Sequence, residues 1–194
     1  MVSLEGPLHP LADAQQGDRV LADMQRWLER AVIGLNLCPF ARGVQTRGQI
    51  RWVVSAASNV ETVLEELAQE LTLLDQGDPL QHETTLLVLP DALPDFLDFN
   101  DFLDDADAAV EALDLEGEIQ VASFHPHYQF AGTSPDDIDN YTNRAPWPTL
   151  HLLRESSLSQ AIDSHGDPEM IYAANIQRLR QLGLAGWQAL FKDS

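Results

Sequence analysis

The sequence predicts a single-domain α/β protein in which helices pack against a mostly parallel or mixed four-stranded sheet. Segments with strand character alternate with longer segments whose apolar residues recur at helical spacing, which is the order found in sheets covered by helices. The chain of 194 residues suits one domain with a substantial core. No repeat or low-complexity run indicates a second domain. An α+β arrangement also fits this order of elements.

The predicted helices carry apolar stripes on one side. The first begins with Asp18 as its N-cap and ends near Asn36. A capping box of Ser58 and Glu61 starts the second, which ends near Asp75. Further helices are expected over residues 94–113, from 156 or 157 to about 165, and over 168–182.

Four segments have strand character, namely residues 49–57, 84–89, 118–124 and 149–153. The segment 84–89 is apolar without alternation, which is typical of a central strand covered on both faces. Residues 1–17 contain several Gly and Pro breakers, so they are predicted to form a flexible N-terminal tail. The single α/β domain is therefore expected to span residues 18–194.

The composition excludes several classes of partner. A formal charge of −20 opposes binding to nucleic acid, which needs clustered Lys and Arg. No apolar run has the length of a membrane span, and the N-terminus lacks a signal-peptide pattern. The single cysteine, Cys38, fits a reducing compartment. We therefore expect a cytoplasmic protein with a small-molecule ligand, and the oligomeric state stays open.

Two arginines are candidates for binding an anionic group. No Lys or Arg lies between Arg51 and Arg144, although this span holds most of the acidic residues. Arg144 precedes two alternating prolines that stiffen the chain, and Arg42 follows a Cys-Pro-Phe-Ala motif. An arginine held rigidly suits a carboxylate. The structural alternative is an internal salt bridge to one of the many acids.

Histidines cluster around the third and fourth predicted strands. His125 and His127 directly follow residues 118–124, and His151 lies in the fourth strand. Imidazoles are common metal ligands, and the acids at 136 and 137 or Cys38 could complete a site. The structural alternative is a strand-end, a surface and a packed histidine.

Cys38 has two interpretations. It could act as a nucleophile with His125 or His151 as base, or it could be a buried small hydrophobe. It follows the predicted first helix, and the negative end of a helix dipole raises the pKa of a thiol.

Several motifs together resemble an uncharacterised family of bacterial proteins of about this length. The resemblance covers roughly Leu21 to Leu190 and implies no known activity. It rests on residues 34–42 (GLNLCPFAR), 84–90 (TTLLVLP), 123–126 (SFHP), 128–133 (YQFAGT), 143–144 (NR) and 151–155 (HLLRE).

A second resemblance concerns three short patches: Cys38 to Arg42, the strand ending in His125-Pro126, and Arg144-x-Pro-x-Pro-Thr-Leu150. Their order is similar to that of the haem-dependent hydroxylases of arginine and related guanidines. The resemblance implies that His125 binds haem iron and that Arg42 and Arg144 lie near the cofactor or substrate. This chain differs in a longer loop after His125-Pro126 and in having His151 at an apolar strand position.

The sequence thus favours a haem-binding oxidoreductase that acts on a small molecule, with His125 as axial ligand. One alternative is a hydrolase or transferase without haem that uses Cys38 with His125 or His151. Another is a protein that binds a small ligand without catalysis. We expect His125, Arg144 and Cys38 to line one pocket at the end of the sheet, where open α/β sheets place ligands.

Overall fold

A computed structural model describes residues 14–157 and 168–192 and confirms the predicted single-sheet α/β architecture. Its elements, in chain order, are α1 (Ala14–Trp27), a π-helical segment (Leu28–Ile33), α2 (Ala41–Thr46), β1 (Ile50–Val54), α3 (Val60–Gln76), β2 (Thr84–Val88), α4 (Phe96–Ala112), β3 (Ile119–Phe124), a 3-10 helix (Ile138–Thr142), β4 (Thr149–Arg154) and α5 (Pro168–Ala189). Among the described residues, no helix is both long and apolar enough to cross a membrane.

The sheet is mixed, with strand order β1-β2-β4-β3. β1 pairs with β2 in parallel, and β4 is antiparallel to both β2 and β3. β1, β2 and β3 therefore run in one direction, and β4 returns between the last two. The carboxyl ends of the three parallel strands meet at one edge of the sheet, together with the beginning of β4.

One face of the sheet, which we call the α3/α4 face, is packed against α3 and α4. Side chains from the central strands meet the apolar stripes of the two helices there, and the central ones have no exposed surface. The core of this face includes Leu67, Leu71, Phe99, Phe102, Leu87, Leu150 and Leu152.

The opposite face, which we call the α1 face, is covered by α1 and α5 in a second apolar cluster. Met24 and Trp27 of α1 lie over the carboxyl-end edge of the sheet. The Trp27 ring meets Phe124 edge-on at 5.2 Å between centroids, and its Nε1 donates to the carbonyl of Arg144 at 2.9 Å. These contacts join α1 to the connection that enters β4.

The N-terminal boundary of the first helix differs from the prediction. Residues 14–17, the first that the structure describes, are already helical in α1, so Asp18 lies inside the helix rather than at its cap. Ala and Gln are good helix formers, so the helix extends beyond the first apolar residue of its stripe. Residues 1–13 of the predicted tail lie outside the described residues.

Other differences concern helix ends and short helices. Asn59, not Ser58, caps α3, because its side chain accepts from the backbone N–H of Thr62 at 2.9 Å. α2 and the 3-10 helix have no counterpart in the prediction. α5 continues past residue 182 to Ala189, with a break at Gly183, where φ is 65°. Of the helix predicted after residue 156, only the start at residues 155–157 lies within the described part.

Candidate functional site

His125 lies at the carboxyl-end edge of the sheet and is fully buried. Its ring packs beside Phe96 and Phe99, at centroid distances of 5.5 and 5.1 Å. Its Nδ1 accepts from the backbone N–H of His127 at 3.0 Å, so Nε2 carries the proton and donates to the carbonyl of Leu93 at 3.3 Å. Burial lowers the pKa of His125. The ring is therefore a neutral group with both nitrogens engaged.

This arrangement does not fit an axial ligand to haem iron. A ligand nitrogen must offer a free lone pair toward a cavity, but Nε2 of His125 is a donor and Nδ1 already accepts a hydrogen bond. The ring also has no exposed surface. Binding iron would require the turn at His125-Pro126-His127 to open, so we derive no chemistry through His125.

Arg144 organises the connection between β3 and β4. Its Nε donates to the carbonyl of Tyr128 at 3.1 Å, and a terminal nitrogen donates to that of Pro135 at 2.6 Å. Its guanidinium lies 4.4 Å from the ring centroid of Tyr141. The sequence suggested an anion-binding arginine or a salt bridge to an acid. These partners are instead two backbone carbonyls and an aromatic ring, so Arg144 clamps the loop.

Asn140 completes the interior of the same loop. It is fully buried, and its side-chain oxygen accepts from the backbone N–H of Phe130 at 3.0 Å and from the hydroxyl of Thr133 at 2.8 Å. Its side-chain nitrogen donates to the carbonyl of Ser134 at 2.8 Å. The polar residues of this loop thus satisfy one another, which accounts for their density in the sequence.

Cys38 packs in a different environment from His125. It packs against the apolar cluster of the α1 face, whereas His125 contacts aromatic rings of α4. Burial raises the pKa of the Cys38 thiol, and hydrogen bonds from the backbone of Phe40 and Ala41 oppose that rise. The pKa of Cys38 is raised, as the helix dipole predicted, but the largest cause is burial of the thiol.

The packing of His125 and Cys38 against different side chains therefore gives no support to the expected pocket shared by His125, Arg144 and Cys38, which stays a prediction. Arg42 is exposed, and its guanidinium donates to the carbonyl of Ile33 at 3.4 Å. No group of three or more metal-ligating side chains occurs within the described ranges.

His151 has different surroundings from His125. It lies in the middle of β4, on the α1 face, in a row that crosses the sheet as Trp52, Leu86, His151 and Ala122. Burial lowers its pKa to about 4, yet the residue keeps part of its surface accessible, as do Trp52 and Ala122. Because this side chain lies deep in the sheet and still reaches solvent, we infer a crevice beside it on the α1 face.

The hydrogen bonds of Thr84 determine which ring nitrogen of His151 carries the proton. The Thr84 hydroxyl lies 2.5 Å from the carbonyl oxygen of Leu152 and 2.9 Å from Nε2 of His151. A carbonyl cannot donate, so the hydroxyl proton lies toward Leu152 and Nε2 of His151 carries its own proton. Nδ1 is then an acceptor, and no described residue donates to it.

The crevice is lined mainly by apolar side chains. The row nearer the amino end of β2 consists of Ile50, Thr84, Leu153 and Gln120, and only Thr84 of these is buried. The opposite row contains Val88 and Thr149, which α1 buries completely. Among the described residues, the accessible part of this face therefore lies on the side away from α1.

Two surface hollows are lined by residues other than His151, and the second shares Ile50 and Trp52 with the rows beside that histidine. One of about 570 Å³ lies between the 3-10 helix and α5, where Arg180 forms a bidentate ion pair with Asp139. Another of about 380 Å³ is lined by residues 50–52 with Gln81 and His82. His82 donates to or accepts from Thr85 at 2.7 Å, and burial lowers its pKa.

The sequence identified His151 as a candidate site residue but did not identify Thr84 or Trp52. His151 was detectable as a polar residue in an otherwise apolar strand. Its neighbours depend on the register of β1, β2 and β4, which no local pattern reveals.

The fold defines the class as a mixed-sheet α/β protein with helices on both faces of the sheet. Within it, the chain belongs to the family described as "Protein of unknown function (DUF1415)", whose family model matches residues 19–189. Comparisons with curated proteins and with solved structures gave no match.

Proposed function

We propose that the protein binds a small, largely apolar molecule in the crevice beside His151. The observation that carries the proposal is the state of this imidazole: neutral, held at Nε2 by Thr84, partly accessible, and with Nδ1 unengaged by any described residue. A few placed polar groups within an apolar lining are typical of small-molecule sites.

This proposal corresponds to the ligand-binding alternative of the sequence analysis. The thiol-enzyme alternative, Cys38 with His125 or His151, has less support because burial disfavours the Cys38 thiolate. Cys38 packs in a different apolar cluster from the rings around His125, and the described hydrogen bond of the His151 ring goes to Thr84. Haem binding through His125 stays a prediction, and the hydrogen bonds at that ring oppose it.

The test uses a variant in which a larger side chain fills the crevice. Ala122 is the cross-strand partner of His151, so Ala122→Phe places a ring over the imidazole. The matched control is Ala112→Phe, which adds the same volume at an exposed position at the end of α4. Binding of indole and of hemin is measured by calorimetry on wild type and both variants.

We expect saturable binding of indole to wild type and to Ala112→Phe, with at least tenfold weaker binding to Ala122→Phe. Equal affinities for all three proteins would overturn the proposal, as would a lack of saturable indole binding to wild type. A hemin titration abolished by His125→Ala but not by Ala122→Phe would favour the haem prediction instead.

A further inference from the structure

From the contacts of Thr84 we infer that this residue sets the ligand class of the crevice, by holding His151 as the Nε2–H tautomer so that Nδ1 accepts from the ligand. The inference rests on the proposed function and adds the chemistry of the ligand to it. The preferred ligand is an uncharged apolar molecule with one N–H or O–H donor.

The hydroxyl of Thr84 forms hydrogen bonds from β2 to β4. Thr84 belongs to β2 and is only 6% exposed, and its two partners, Leu152 and His151, are adjacent residues of β4. Because the hydroxyl proton is directed to the Leu152 carbonyl, the hydroxyl oxygen can only accept from the imidazole. A threonine here therefore fixes which ring nitrogen is protonated.

The consequence for a ligand is selectivity by hydrogen-bond direction. Nδ1 of His151 presents a lone pair on a face where Phe124 lies 6.0 Å away between ring centroids and Ala122 is the cross-strand partner. A ligand with a donor satisfies that lone pair, whereas a ligand that offers only an acceptor leaves two acceptors facing each other. An unmatched polar group in such a site costs binding free energy.

A first experiment compares ligands that differ only in the donor. Indole and 3-methylindole carry an N–H group, and 1-methylindole has lost it. We expect wild type to bind indole and 3-methylindole at least tenfold more tightly than 1-methylindole. Equal binding of all three would overturn the inference and leave the proposed function standing, whereas no binding of any of them would overturn both.

A second experiment changes Thr84. Thr84→Ser keeps the hydroxyl and is expected to retain the tenfold selectivity. Thr84→Val keeps the shape and removes the hydroxyl, so selectivity is expected to fall below threefold while 1-methylindole binds as before. Unchanged selectivity in Thr84→Val would overturn the role of Thr84. Circular dichroism and denaturation confirm that each variant is folded.

A spectroscopic measurement tests the tautomer without any ligand. Nitrogen-15 spectra of ligand-free protein labelled at histidine distinguish the two neutral tautomers, and the His151 signals are assigned by their absence in His151→Gln. We expect the Nε2–H form in wild type and Thr84→Ser, and a mixture in Thr84→Val. A predominant Nδ1–H form in wild type would overturn the inference even if indole binds.

Discussion

The two faces of the sheet share the same strands but differ in how completely they are closed. On the α3/α4 face, the central side chains Leu87, Leu150 and Leu152 have no exposed surface. On the α1 face, Val88 and Thr149 are equally buried, but His151 in the next row is partly accessible. The α3/α4 face is thus fully buried at its centre. The α1 face is buried at the row of Val88 and Thr149 and partly accessible at the row of His151.

The largest expected difference between the faces is in the loss of apolar side chains. Leu150→Ala removes a fully buried side chain from the α3/α4 face and should lower the free energy of unfolding by about 3–4 kcal/mol. Leu153→Ala, on the partly open α1 face, should lower it by only about 1 kcal/mol. Urea denaturation followed by circular dichroism measures both. Similar losses would mean that both faces are closed.

The pH dependence of stability is expected to originate partly from His151. Its pKa is about 4 in the folded protein, against the ordinary histidine value of 6.5 that applies to the unfolded chain. Between these two values the unfolded chain binds a proton that the folded protein does not. Stability from this group is therefore full above pH 6.5 and is lost as pH falls toward 4, by at most about 3 kcal/mol.

The matched control for this prediction is His151→Gln, in which all other titrating groups are retained. Urea denaturation between pH 7 and pH 4 should show a smaller loss of stability in the variant than in wild type. Parallel curves would show that His151 is protonated as easily in the folded protein as in the unfolded chain.

A smaller effect on stability is expected when a side chain on each face is enlarged instead of truncated. Ala106 on α4 is fully buried in the α3/α4 core, so Ala106→Leu should destabilise the protein by about 1–3 kcal/mol. Ala122→Leu extends into the crevice of the α1 face and should change stability by less than about 0.5 kcal/mol. Thermal denaturation compares the two. A large loss in Ala122→Leu would show that no crevice lies beside His151.

Local patterns in the sequence predicted most of the fold. The apolar run at 84–89 identified a central strand, and the stripes of α3 and α4 identified the helices that cover it. The position of β4 between β2 and β3 was not predictable in this way, because pairing between distant strands leaves no local signal. The caps were only partly predicted, since Ser58 and Asn59 are both good cap residues and backbone geometry selects Asn59.

The candidate site was harder to predict than the fold. The sequence identified His125, Arg144 and Cys38 by their residue types and neighbours, but residue type does not reveal a partner. The carbonyls that engage Arg144 belong to Tyr128 and Pro135, which the loop conformation alone brings near. His151 and Thr84 are 67 residues apart and meet only through the register of β2 and β4.

The place of β4 in the sheet also sets the order in which the protein can be assembled during synthesis. β1 and β2 can pair as soon as they leave the ribosome, but β3 is synthesised before β4, its neighbour in the described sheet. Until residues 149–154 emerge, β2 has an unpaired edge and β3 has no partner, and such edges invite pairing with other chains. Sheet completion is thus a late step that joins distant segments, and the edges of β2 and β3 are open to pairing with other chains until β4 inserts.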